Sequence, residues 1–249
     1  MTTPMARRFQ SVFAILMILC ALPALAWREL APGLDYQDLG TSYLIPWSHI
    51  HAFRVNLQLN QVTSVMANDL DVPHASVEEY AKHSQALITI NGGFFDQDFH
   101  PLGLRINNKQ QKSPIKQISW WGVFYIKNNK PYISNVRQFR RDEQIEFAVQ
   151  SGPRLIINGK IPPLKPGRAE RSALGISKDG RLIIVITDNN PLSTTELAQL
   201  MKGSQLGCLN ALNLDGGSSS QLHAKINSFQ LDVHGFSNVS DAIIVRPWK

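Results

Sequence analysis

Asn213-Leu214-Asp215-Gly216-Gly217-Ser218-Ser219-Ser220 ends an apolar segment with a carboxylate, paired glycines and a run of hydroxyls. Glycines let the backbone bring its N–H groups close to a bound group, and hydroxyls donate hydrogen bonds to oxyanions. An earlier run, Ile90-Asn91-Gly92-Gly93-Phe94-Phe95-Asp96, has the same design. Two strand-to-turn junctions of this kind predict two walls of one pocket for a sugar, a phosphate or both. Asn91 offers a donor and an acceptor that suit a sugar hydroxyl or acetamido group, and Gly92 and Gly93 would expose backbone N–H groups to it. A ligand-free origin is equally open at this level. Asn-Gly makes tight turns unaided, and an Asp such as Asp215 can simply bond its own Gly216-Gly217 turn.

These junctions must be held by strands. Residues 51–60 alternate, with Phe53, Val55, Leu57 and Leu59 facing one way, which predicts one half-buried strand. Ser76-Val77-Glu78-Glu79 is a capping box for a short helix to Gln85, and residues 86–90 then form a buried strand that delivers Asn91. Hairpins are predicted around Asn128-Asn129, Asn158-Gly159 and Asp179-Gly180. A second capping box, Ser193-Thr194-Thr195-Glu196, opens a longer helix that stops in residues 203–207. Residues 211–214 and 241–245 complete the strands. With no repeat or linker in the mature chain, the expectation is a single α+β domain of mixed or antiparallel sheet, built largely of hairpins with a few packed helices.

Residues 1–26 have Arg7 and Arg8 before an apolar run over 12–22 and end in Ala24-Leu25-Ala26, the pattern of a secretory signal peptide. The run is shorter than the ~20 residues that span a bilayer. The chain is therefore expected to be exported, periplasmic or secreted, with its mature N-terminus at Trp27 and no stable membrane span after processing. Cleavage removes Arg7, Arg8 and Cys20, leaving 23 Lys+Arg against 19 Asp+Glu, a charge of +4. The basic residues form no stripe and no nucleic-acid motif, so no nucleic-acid partner is expected. Cys208 is then the sole cysteine and no internal disulfide can form. The histidines lack zinc-site spacing and no Gly-x-Ser-x-Gly elbow occurs, which argues against a zinc enzyme and a serine hydrolase.

Asn91-Gly92-Gly93-Phe94-Phe95, Pro101-Leu102-Gly103-Leu104, Ser151-Gly152-Pro153-Arg154-Leu155, Arg171-Ser172-Ala173-Leu174-Gly175 and Asn213-Leu214-Asp215-Gly216-Gly217-Ser218-Ser219 follow one another in an order that resembles the phosphodiester glycosidase family. The similarity covers about residues 87–245. It implies a catalytic region over residues 87–249, with residues 27–86 as N-terminal strands and a short helix of the same domain. The chain departs from the family pattern at Ser218 (commonly Gly), at Ser172 (commonly Thr) and in Thr187-Asp188-Asn189-Asn190, where an Asp-Gly pair is frequent.

The resemblance implies hydrolysis of the sugar C1–O bond of a glycosyl phosphodiester, the partner being a sugar-phosphate diester or an envelope glycan. Arg171 would grip phosphate oxygens with Ser172 beside it, and Asp215 would act at the sugar carbon. Asp188, at a strand end, is the second carboxylate candidate, with Glu170 and Asp96 behind it. Gly216, Gly217 and Ser218 would join Asn91, Gly92 and Gly93 in binding substrate. Phe94, Phe95, Trp120 and Trp121 are either stacking faces for a sugar or core. No cofactor is expected to be required, although calcium or magnesium near Asp215, Asp188 or Asp241 is compatible with hard-cation chemistry. Two other readings stay open: a phosphodiesterase that breaks P–O, and a non-catalytic glycan-binding or envelope-assembly module.

Overall fold

The computed structural model describes residues 27–40 and 45–248. The predicted signal peptide lies outside them. The chain opens with β1 (Arg28–Ala31), β2 (Leu34–Asp38), β3 (His49–Val55) and β4 (Asn60–Met66). Helix α1 (Val77–Ser84) leads into β5 (Ile88–Asn91). Then come β6 (Arg105–Asn107), β7 (Gln110–Ser113), β8 (Gly122–Lys127), β9 (Lys130–Asn135) and β10 (Ile145–Ser151). They are followed by β11 (Arg154–Ile156), β12 (Arg168–Ala169), β13 (Ser172–Ser177) and β14 (Leu182–Asp188). A short β15 (Leu192–Ser193) enters helix α2 (Thr194–Lys202). The chain closes with β16 (Cys208–Asn213), β17 (Leu222–Ile226), β18 (Phe229–Val233) and β19 (Asp241–Pro247).

Three main sheets result. A seven-stranded sheet has the order β1-β2-β3-β14-β13-β16-β11, and two five-stranded sheets run β18-β17-β5-β19-β4 and β7-β6-β10-β8-β9. Pairing within them is antiparallel. One apolar core joins all three, with Phe53, Leu174 and Leu212 of the first meeting Ile90 and Ile243 of the second and Phe124 and Phe147 of the third. This shared core makes the chain one α+β domain. Helix α2 covers the other face of the large sheet through Leu197, Ala198 and Met201, and α1 packs Val77 and Tyr80 on the second sheet. Among the described residues no helix is long and apolar enough to cross a membrane.

Local chemistry explains most of these elements. Ser76 accepts from the Glu79 N–H at 3.3 Å while Glu79 accepts from the Ser76 N–H at 2.7 Å, and Ser193 with Glu196 repeats the arrangement at the start of α2. Asn128 and Asn129 both take positive φ, 51° and 55°, the twist that a tight β8–β9 hairpin requires. Residues 51–60 depart from expectation. The strand stops at Val55, and the N–H groups of Leu59 and Asn60 turn back to the Asn56 carbonyl at 3.1 and 3.0 Å. Leu57 is buried by this reversal, and Leu59 is left exposed.

Candidate functional site

The ends of β5 and β16 and the start of β13 meet at one rim, where they are laced by a buried amide. The Asn91 side chain donates to the carbonyls of Asp215 (2.9 Å) and Gly92 (3.2 Å). It accepts from the Ser172 hydroxyl (2.7 Å) and the Gln221 N–H (3.3 Å). Two donors and two acceptor positions are all an Asn possesses. Asn91 is therefore a positioning residue with nothing left for a substrate, and Ser172, fully buried like it, spends its one hydroxyl proton on that amide. The Asp215 N–H adds a 3.3 Å bond to the Gly92 carbonyl. The two glycine turns thus belong to one structure, although not by the contacts expected of them.

Gly92 and Gly93 have a similar explanation. A Cβ on Gly92 would lie 2.3 Å from the Asp241 carboxylate, and one on Gly93 would lie 2.7 Å from the Gln150 carbonyl and 2.8 Å from Arg105. Arg105 and Asp241 form a buried ion pair, Nε to Oδ2 at 2.8 Å and Nη2 to Oδ1 at 3.3 Å. These glycines are small because the ion pair is directly behind them.

In front of the rim opens a cleft of about 620 Å³. Arg171, Asp215, Gly216 and Gly217 line it together, as do Asn213, Lys165, Phe94 and Trp120. Arg171 is held by its Nε on the Leu192 carbonyl (2.8 Å) and its Nη2 on the Gly167 carbonyl (2.7 Å). No carboxylate among the described residues pairs with it, and burial alone pulls its pKa down. Its Nη1 approaches Gly216, where a Cβ would lie 3.7 Å away. A half-buried guanidinium without an acidic partner has the charge and donor geometry to take an anion.

Asp215 accepts from the Gly216 N–H at 2.9 Å and from the Ser219 hydroxyl. Burial nonetheless holds its carboxyl above the usual range, and the Asp241 charge adds to the rise, while the hydrogen bonds and Arg105 act against it. A carboxyl raised in this way is a stronger base than an ordinary aspartate once ionised.

The other candidates fall outside the cleft. Asp188 pairs across the sheet with His49, and Ile186, two residues earlier, lies opposite Ser172. Ala173 and Asn213 sit opposite one another one residue out of step with Ser172, on the other face. Asp188 therefore projects away from the cleft, which corrects its assignment as a second carboxylate there. Glu170 accepts from the Thr187 hydroxyl and from the Asn190 N–H (3.1 Å), tying down its loop. Asp96 caps an exposed turn through the N–H groups of Asp98 (3.0 Å) and His100 (2.8 Å). Ser218 is exposed and bonds the Ser237 hydroxyl at 3.0 Å. Trp121 is core, its ring tilted against Phe94 with centres 5.0 Å apart, and Phe95 stacks on Phe99 at 5.1 Å. Among the described residues Asp215, Asp188 and Asp241 do not gather their carboxylates within reach of one ion, and Asp241 is paired with Arg105. Asp96, Asp98 and His100 do gather donor atoms, at an exposed turn.

Asn213, Lys165 and Arg105 carried no role in the sequence reading. Asn213 and Arg105 stand in or directly beside the recognised motifs, which was the available signal. Asn213 is buried, donates to the Gly152 carbonyl at 3.2 Å, and leaves its Oδ1 without a partner at the cleft wall.

One cleft of this sheet-dominated domain thus holds both a half-buried guanidinium and a carboxyl with a raised pKa. The chain belongs to the phosphodiester glycosidase family, which it matches over residues 84–246. It is 35% identical over 126 residues to the uncharacterized protein YigE of Escherichia coli K12, a stretch covering 46% of this chain and 50% of that protein. The chain thus spans about half the length of that curated relative. The catalytic domain of zebrafish N-acetylglucosamine-1-phosphodiester alpha-N-acetylglucosaminidase, auto-inhibited by its pro-peptide, superposes with a TM-score of 0.65 at 18% identity, covering 90% of this chain and 86% of that one. A hypothetical protein from Synechocystis gives 0.62 at 19% identity, covering 90% and 64%. At these identities the likeness concerns the fold.

Proposed function

We propose that the chain is an exported phosphodiester glycosidase that hydrolyses the sugar C1–O bond of a glycosyl phosphodiester. The observation that carries this reading is that Arg171, without an acidic partner, and Asp215, with its raised pKa, share one cleft. Arg171 binds the diester anion. Asp215 faces the oxocarbenium-like centre at C1 and takes the proton of the attacking water. The C1–O electron pair leaves with the phosphate monoester. That leaving group is already a weak base, so it needs no proton from a second carboxylate. Asn91 and Ser172 hold the rim on which Asp215 stands.

Turnover of a panel of glycosyl phosphodiesters by purified mature protein tests the proposal. Binding without product would leave a glycan-binding module as the reading. Arg171→Ala is expected to raise KM by about 10–100-fold with a smaller fall in kcat, because a charge-assisted contact to the diester is lost in ground and transition states alike. A fall confined to kcat would move Arg171 to the transition state.

The same chemistry requires no Lewis acid. Activity is expected to survive EDTA, whereas phosphoryl transfer often relies on metal ions to neutralise charge. Loss of activity on chelation and its return with magnesium or calcium, at constant circular dichroism, would overturn the metal-free mechanism.

A further inference from the structure

The polar groups are only part of the cleft lining. Phe94, Trp120, Pro153, Pro163, Leu164 and Pro166 also line it. Trp120 is 53% exposed yet braced edge-on against Trp121, with ring centres 5.8 Å apart. Prolines supply no N–H. The nearby carbonyls are spent: Gly152 and Pro153 accept from Asn213 (3.2 and 3.0 Å), Lys165 from the Thr194 hydroxyl (2.9 Å), and Gly167 from Arg171 (2.7 Å). A hydroxyl-rich ligand would find few partners along this wall, whereas a hydrocarbon needs none. A rigid apolar wall open to water marks a ligand groove. Arg171, which lines the same cleft, fixes where an anionic head must sit.

We infer that this wall holds a hydrocarbon chain esterified to the phosphate, so that the substrate class is a lipid-linked glycosyl phosphate. The assignment rests on the phosphodiester glycosidase reading of the same cleft. The phosphate lies at Arg171, the sugar toward Asp215, and the chain runs between Trp120 and the 163–166 segment.

Titration calorimetry with methyl, butyl and octyl phosphate tests the wall without requiring turnover. Affinity should rise about twofold per methylene, half of what full burial gives, or roughly hundredfold from methyl to octyl. Arg171→Ala should weaken all three ligands by a similar factor. Trp120→Ala and, separately, Leu164→Ala should each cut the octyl-to-methyl ratio severalfold. Octyl phosphate binding no tighter than methyl phosphate, or a ratio unchanged in both variants, overturns the inference. If the chain-length gain appears while no glycosyl phosphodiester is hydrolysed, the lipid site stands and the glycosidase reading falls. If diesters are hydrolysed with no chain-length gain, the lipid assignment alone falls.

Discussion

Asp215→Asn is expected to lower kcat on a glycosyl phosphodiester by about 10²–10⁴-fold without lowering the melting temperature. The Asp215 carboxyl is raised above the ordinary range by burial. A group whose folded-state pKa is raised contributes stability below its unfolded pKa and loses it as pH climbs through the folded value. At neutral pH the ionised side chain therefore costs stability, and an uncharged isostere removes that cost. Asn can still accept from the Gly216 N–H. In the unmodified protein, kcat/KM should fall as pH drops through the raised pKa, above the ~3.9 of a free aspartate. Kinetics from pH 4 to 8 and thermal melts on both proteins check this. Full activity in the variant would remove Asp215 from the chemistry, and a collapsed melting temperature would make it a structural residue.

Asp241→Ala is expected to destabilise the fold by about 3–5 kcal/mol, because removing one partner of a buried ion pair strands the other charge. The Arg105 and Asp241 side chains are only 2% and 1% exposed. Against the roughly 5–15 kcal/mol that folds a typical domain, this loss is large. Gly92→Ala should act through the same spot without changing any charge, since its Cβ would enter the Asp241 carboxylate at 2.3 Å. Chemical denaturation of both variants provides the measurement. A loss below about 1 kcal/mol for Asp241→Ala would show that Arg105 finds water or another partner.

What was legible in the sequence is what local chemistry decides. The capping boxes at Ser76 and Ser193 and the Asn128-Asn129 hairpin each depend on residues within a few positions of one another. The Asp215-Gly216-Gly217 turn and Arg171 were identifiable from motifs, and the structure brings them into one cleft. Residues 51–60 misled because Asn56, Gln58 and Asn60, which shape the turn, continue the alternation of the strand. Asp188 misled because a strand-end carboxylate does not reveal its face. Placing it required the register of Ile186 against Ser172. Asn91 resembles a ligand group in isolation, and only its bonds to residues 81 and 124 positions away expose it as a brace. Arg105 follows Pro101-Leu102-Gly103-Leu104 with no local sign that it is buried. The apolar wall joins residues near 94, 120, 153 and 164, which no linear pattern connects.

Hydrolysis in oxygen-18 water tests the central claim most directly, with the label read by mass spectrometry in the phosphate product, whose oxygens do not exchange with water on this timescale. Attack at the sugar C1 carbon leaves the phosphate monoester unlabelled and places the oxygen-18 on the released sugar. That is the outcome expected from Asp215 acting at carbon while Arg171 holds the leaving anion. One oxygen-18 atom in the phosphate would show that the P–O bond is the one broken, and would contradict the glycosidase mechanism.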